Sequence, residues 1–140
     1  MKTKKLLLAT KPVNDAANWT SLLLRLAFPF FLFYGHGMFK LGKIFSGAPI
    51  QFADPIGLGQ EISFYLAAFA EGICVLFVFF GLFTRLALIP LIITMAVIVF
   101  IQHSGAPFGN IEMALAYFVA FIAIFLLGPG KHSLDNLLSK

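Results

Sequence analysis

The stretch Ile62-Ser-Phe-Tyr-Leu-Ala-Ala-Phe-Ala-Glu71-Gly-Ile-Cys-Val-Leu-Phe-Val-Phe-Phe-Gly-Leu-Phe83 carries one charged side chain, Glu71, near its middle. A helix needs roughly 20 residues to cross a hydrocarbon core of about 30 Å, and this stretch is long enough and apolar enough to do so. Three further stretches, 19–40, 86–103 and 111–127, have the same character. The predicted architecture is therefore an all-α membrane protein, a bundle of four transmembrane helices. Composition agrees: 60% of the 140 residues are hydrophobic, 11% are charged, and mean hydropathy is +0.94, well outside the balance of soluble domains. No hydrophilic stretch is long enough for a second, soluble domain, which excludes catalytic machinery in such a lobe.

The connections follow from the breakers. Thr84-Arg85 is read as a tight turn that makes the second and third helices antiparallel neighbours. Pro90 is expected in or near the first turn of the third helix, where a missing N–H does least harm. Asp54-Pro55 reads as an N-cap and first residue of the second helix, Asn110 as the N-cap of the fourth, and Gly128-Pro-Gly130 as its stop. Residues 129–140 form a tail with a short surface helix capped by Ser133. Residues 1–18 are read as a retained cytoplasmic segment, because Leu6-Leu-Leu-Ala9 is shorter than a signal sequence requires, and Leu6, Leu7 and Leu8 suit the headgroup region.

Orientation comes from the basic residues. Lys2, Lys4, Lys5, Lys11, Arg25, Arg85, Lys131 and Lys140 fall on one side of the four spans, and only Lys40 and Lys43 on the other. The positive-inside rule then puts both termini of a multi-pass membrane protein in the cytoplasm. The same scatter argues against nucleic acid, which needs a clustered basic face. Two short matches, Arg25-Leu-Ala-Phe-Pro29 with Arg85-Leu-Ala-Leu-Ile-Pro90 and Ser46-Gly-Ala-Pro49 with Ser104-Gly-Ala-Pro107, suggest two helical hairpins related by a parallel repeat.

An ionisable group inside a span costs at least ~2.5 kcal/mol, so each is a candidate for function. Glu71 is too deep to reach water and is read as a proton-carrying or ligand-binding carboxylate, or else as one half of a structural ion pair; without a nearby cation it would be neutral. Arg25, His36 and Lys40 are spaced close to whole turns and share one stripe of the first helix. His103 ends the third helix and Glu112 opens the fourth, so Glu71, His36, Lys40, His103 and Glu112 make a candidate outward-facing pocket for proton exchange. The plainer alternatives are interfacial anchoring for His36 and Lys40 and dipole capping for Glu112. Arg25, Arg85 and Asp135 are candidate structural contacts: Arg25 is near enough to the cytoplasmic end to snorkel, and Arg85 and Asp135 are placed to pair. No residue spacing supports a metal or haem, and a single cysteine, Cys74, excludes an internal disulfide.

Arg25, Tyr34-Gly-His-Gly-Met-Phe-Lys40, Glu71-Gly72, Gly81-Leu-Phe-Thr-Arg-Leu-Ala87, Glu112 and Gly128-Pro-Gly-Lys-His-Ser-Leu-Asp135, in that order, resemble the DoxX family of bacterial four-helix inner-membrane proteins. The resemblance spans roughly residues 20–136. It implies a link to membrane redox processes, since the family takes its name from a subunit of a thiosulfate:quinone oxidoreductase and other members are associated with quinone or catechol resistance and oxidative-stress complexes. The leading expectation is thus a quinone-linked membrane subunit, with no cofactor of its own evident, a redox partner protein supplying electrons, and lipid around it. The alternatives are a small proton-coupled transporter of aromatic or organic solutes and a structural subunit without a ligand; an oligomer fits any of the three.

Overall fold

In the computed structural model, which describes residues 14–140, four helices are long and apolar enough to cross a membrane: α1 (Ala16–Ser46), α2 (Gln60–Phe80), α3 (Thr84–Gln102) and α4 (Phe108–Leu127). A short α5 (Leu134–Leu138) follows, with the Ser133 hydroxyl accepting from the Asn136 N–H at 3.2 Å. The headgroup contact expected of Leu6, Leu7 and Leu8 lies outside the described residues. α1 and α3 each pack against α2 and α4, which gives an up-down-up-down ring of four. One end of the bundle, the tail end, holds the α2–α3 turn and α5; the other, the loop end, holds the long α1–α2 connection and the α3–α4 connection.

Helix boundaries depart from the sequence reading for identifiable reasons. α2 begins at Gln60 rather than at Pro55, because Gly57 and Gly59 sit at φ 75° and 97°, outside helical space. Asp54 is therefore no N-cap. It instead pins the loop, its carboxylate accepting from the Leu58 and Gly59 N–H groups, both at 2.9 Å, and from the Ser63 hydroxyl at 2.8 Å. The Ser63 and Gly59 bonds hold that carboxyl below the usual carboxylate range. The α2–α3 turn is Gly81–Phe83, not Thr84-Arg85, which already open α3. Pro90 consequently lies inside α3, past its first turn. α4 starts at Phe108 with Pro107 before it, so Asn110 is helical and Glu112 stands beyond the first turn.

Three of the helices widen into π turns, at Phe33–Gly37 in α1, Phe69–Cys74 in α2 and Ile98–Gln102 in α3. In α1 and α3 the π turn follows an internal proline, Pro29 and Pro90. Such turns hold one residue more than an α-helix needs and recur at functional sites. The core divides the bundle in two. Leu32, Val75, Val78, Leu88, Leu91, Phe121 and Ile124 fill the tail half almost without exposure. In lipid this packing acts through van der Waals contact rather than water exclusion, so fit counts more than area. The loop half, where the π turns lie, contains the cavities.

Candidate functional site

Lys40 and Glu71 form a buried ion pair, the Lys40 Nζ donating to Glu71 Oε2. Their residues are 8% and 3% exposed, so both charges have left solvent and each depends on the other. Two glycines let the helices come close enough for this. A β-carbon at Gly37 would meet the Glu71 carbonyl oxygen, and one at Gly72 would stand 2.8 Å from the Leu41 side chain. The cation that Glu71 requires is thus supplied by α1, one turn past its π turn.

The pair lies in the wall of a cavity of about 250 Å³. α1 contributes His36 and Lys40; α2 contributes Ser63, Leu66, Ala67 and Glu71; α3 contributes Thr94, Val97, Ile98 and Gln102; and Phe52, Pro55 and Ile56 of the α1–α2 loop close it from the loop end. The Phe52 ring stands 5.9 Å from the Lys40 Nζ and edge-on to Phe64, which fixes it as part of the roof. Ile56, Leu66 and Ile93 on the rim are 47%, 50% and 57% exposed. Leu66 and Ile93 belong to the outer faces of α2 and α3, so the cavity opens sideways toward lipid.

A second cavity of about 190 Å³ meets the same carboxylate from the other side. Its walls are Leu32, His36, Glu71, Met95, Ile98, Asn110, Met113, Ala114 and Tyr117, drawn from all four helices. His36, Glu71 and Ile98 therefore line both spaces.

The structure brings three of the five expected pocket residues together and leaves two apart. His103 sits at the end of α3 with Nδ1 3.1 Å from the carbonyl of Ile98 in its own helix, and it lines neither cavity. Glu112 is exposed on a separate apolar groove between α1 and α4, beside Leu24, Phe28 and Ala116. Asn110, Met113, Ala114 and Tyr117 take the face of α4 that lines the second cavity, and Glu112 falls on the neighbouring face with Leu115, Ala116 and Val119. Among the described residues, no three His, Cys, Asp or Glu side chains gather as a metal ion would require.

The remaining three polar residues build the tail end. Arg25 does not snorkel: it is 1% exposed and donates from Nη1 to the Phe79 carbonyl at 3.0 Å and from Nη2 to the His132 carbonyl at 2.9 Å. Arg85 and Asp135 do not pair. Arg85 Nε donates to the Phe125 carbonyl at 3.1 Å, while the Asp135 carboxylate accepts from the Phe83 N–H at 2.7 Å and from the Thr84 N–H and hydroxyl at 3.0 and 2.7 Å. Asp135 thus caps α3 from a distant part of the chain, where the helix dipole favours an anion. Partial burial pushes its carboxyl up, but the Thr84 and Phe83 bonds and the nearby Arg25 outweigh that and hold it below the usual range.

Sequence reasoning passed over Phe52, Ser63, Thr94, Gln102 and Tyr117. Ser63, Thr94 and Tyr117 are polar atoms inside apolar spans, a signal that was present; Phe52 gives none, because nothing local marks a loop phenylalanine as a roof.

A family model described as DoxX matches residues 20–104. The chain belongs to the DoxX family. No curated protein and no solved structure matches it. As a DoxX protein with four apolar helices it is an integral, multi-pass membrane protein. The DoxX match covers the ion pair and every lining residue of the first cavity, and it ends before α4, which supplies one wall of the second.

Proposed function

We propose that this DoxX protein is a quinone-linked membrane subunit whose lipid-facing cavity binds a single aromatic or quinone ring. The observation that carries the reading is the buried Lys40–Glu71 pair in the wall of a cavity with an apolar rim open to the bilayer. Ligand sites typically combine an apolar lining with a few convergent polar groups in about 300–1,000 Å³. At about 250 Å³ the cavity fits one ring, and its sideways mouth leaves a long apolar tail in lipid. Lys40, His36, Ser63 and Gln102 offer donors to ring oxygens, and Glu71 holds or releases a proton at its carboxyl oxygens. Electrons come from a partner protein under this reading, since the sequence has no flavin motif and one cysteine. The excess of Lys and Arg at the tail end supports cytoplasmic termini, and membership of the DoxX family supports a bacterial inner-membrane location.

Titration of the purified protein with short-chain ubiquinone and menaquinone analogues tests the reading. Binding is expected, weakened at least tenfold in Glu71→Gln; failure of both analogues to bind the wild type rejects it and leaves the ion pair a structural tie.

A second reading, a proton-coupled carrier of small aromatic solutes, draws on a different observation: Glu71 and His36 line two cavities, and a carrier must expose its site from two sides. Proteoliposomes loaded with an aromatic solute should then show flux that depends on a proton gradient. Equal flux with and without the gradient excludes it.

A further inference from the structure

We infer that the second cavity is a hydrated proton vestibule that connects Glu71 to the aqueous phase at the loop end of the bundle. The inference rests on the ring-binding reading for its purpose but not for its geometry.

A ring seated in the first cavity would fill the space beside Glu71, so a carboxyl exchanging protons with it needs a route to water that the ring does not block. Geometry supplies one on the opposite face of the same side chain. At about 190 Å³ the second cavity has room for about six waters at the liquid value of roughly 30 Å³ each. Water also needs polar partners, and this space has the buried Glu71, the Tyr117 phenol and the exposed His36 and Asn110 in its lining. Asn110 is exposed in the first turn of α4, next to the α3–α4 connection, which places the mouth at the loop end. The Tyr117 ring is stacked on Phe121 and edge-on to Phe28 at centroid distances of 5.9 Å in both cases, so its hydroxyl is held in place.

The groups facing Glu71 are Lys40 and His36 from α1 and Tyr117 from α4; α3 contributes Met95 and Ile98, which do not titrate. A proton taken from water by a His36 ring nitrogen passes through cavity water to a Glu71 carboxylate oxygen. His36 returns to its neutral form, Glu71 becomes neutral, and Lys40 remains an ammonium. The carboxyl then faces the lipid-side cavity carrying one proton that entered from the loop end.

Two measurements on the full chain in nanodiscs test this. On a Cys74→Ala background, Ala114→Cys lies in the vestibule and Ala116→Cys, at nearly the same depth, lies on the α1–α4 groove. A small cationic methanethiosulfonate should modify Ala114→Cys at least tenfold faster; equal rates overturn the inference. Should Ala114→Cys not fold, infrared titration decides: the carboxylate band assigned by its loss in Glu71→Gln should follow a pH jump at least tenfold more slowly in Asn110→Leu than in the wild type, and an unchanged rate overturns the inference. Asn110 does not line the first cavity, so ring-analogue binding should be the same in Asn110→Leu. A wild type that binds no analogue yet passes these tests defeats the ring-binding reading and leaves the vestibule standing.

Discussion

Gly37 lies against the backbone of Glu71 so closely that a β-carbon at residue 37 would stand 2.1 Å from the Glu71 carbonyl oxygen. Backbone cannot yield as a flexible side chain does, so α1 and α2 must separate if that position gains a methyl group. Gly37→Ala should lower thermal stability in detergent by the equivalent of about 1–3 kcal/mol, the usual cost of overpacking. Gly35→Ala is the control. Nothing lies within 4 Å of a β-carbon there, and alanine should be neutral or slightly stabilising in a helix.

Removing one partner of the Lys40–Glu71 pair strands a buried charge. Lys40→Met and Glu71→Gln should differ, because a buried carboxylate that loses its cation takes up a proton, while the Lys40 ammonium left without its anion must give one up. Lys40→Met is expected to cost about 3–5 kcal/mol, and Lys40→Met/Glu71→Gln to recover part of it. Thermal unfolding followed by tryptophan fluorescence reads the cycle. Strict additivity of the two single changes would show that the pair contributes no coupling.

Asp135 should make the tail end acid-sensitive. Its carboxyl is held below the usual range, so the stabilisation is present above an ordinary carboxylate pKa of about 3.9 and is lost as pH falls through the lower folded value. Asp135→Asn should cost about 0.5–2 kcal/mol at pH 7, as loss of a helix cap does, and progressively less as the wild-type carboxyl is protonated below the usual carboxylate range. Asp54 is shifted in the same direction, so the variant should flatten the acid limb of a melting-temperature profile without abolishing it.

Arg25 joins three parts of the tail end through two carbonyls, and its size is matched by Gly81, where a β-carbon would stand 2.7 Å from Arg25 Nη1. Lysine reaches one carbonyl where the guanidinium fork reaches two. Arg25→Lys should lower stability by roughly 1–3 kcal/mol, the cost of leaving a buried carbonyl unpaired. Arg85→Met, at an exposed residue with one bond to the Phe125 carbonyl, should cost less. Equal losses in a melting assay would contradict the role given to Arg25.

Hydropathy alone located all four spans, because a bilayer demands long apolar runs and leaves little freedom in how to supply them. Glu71 and Lys40 stood out for the same reason, as charges in an apolar setting. Their pairing was hidden: they are far apart in sequence and belong to different helices, so only the packing of α1 on α2 joins them. Asp135 illustrates the limit from the other side. Proximity in a sketch of the topology favoured Arg85, yet a carboxylate satisfies more donors at the free N–H groups of Phe83 and Thr84. Helix starts at Gln60 and Phe108 were missed because Asp54 and Asn110 fit local capping rules while glycine φ angles and Pro107 decided the matter. The π turns leave no mark that the hydropathy pattern reveals, and with them the depth at which the cavities open.

The π turn at Phe33–Gly37 has a consequence for counting. An α-helix turns by about 100° per residue, and the wide turn absorbs its extra residue, so a chain lacking one residue of Phe33–Gly37 would return to ordinary winding with everything beyond it at nearly the same azimuth. Lys40 would still face Glu71. Loss of Met38 or Phe39, where the winding is already α-helical, would instead swing Lys40 by about 100° away from the buried carboxylate, so the first helix can spare a residue inside the turn and none just after it.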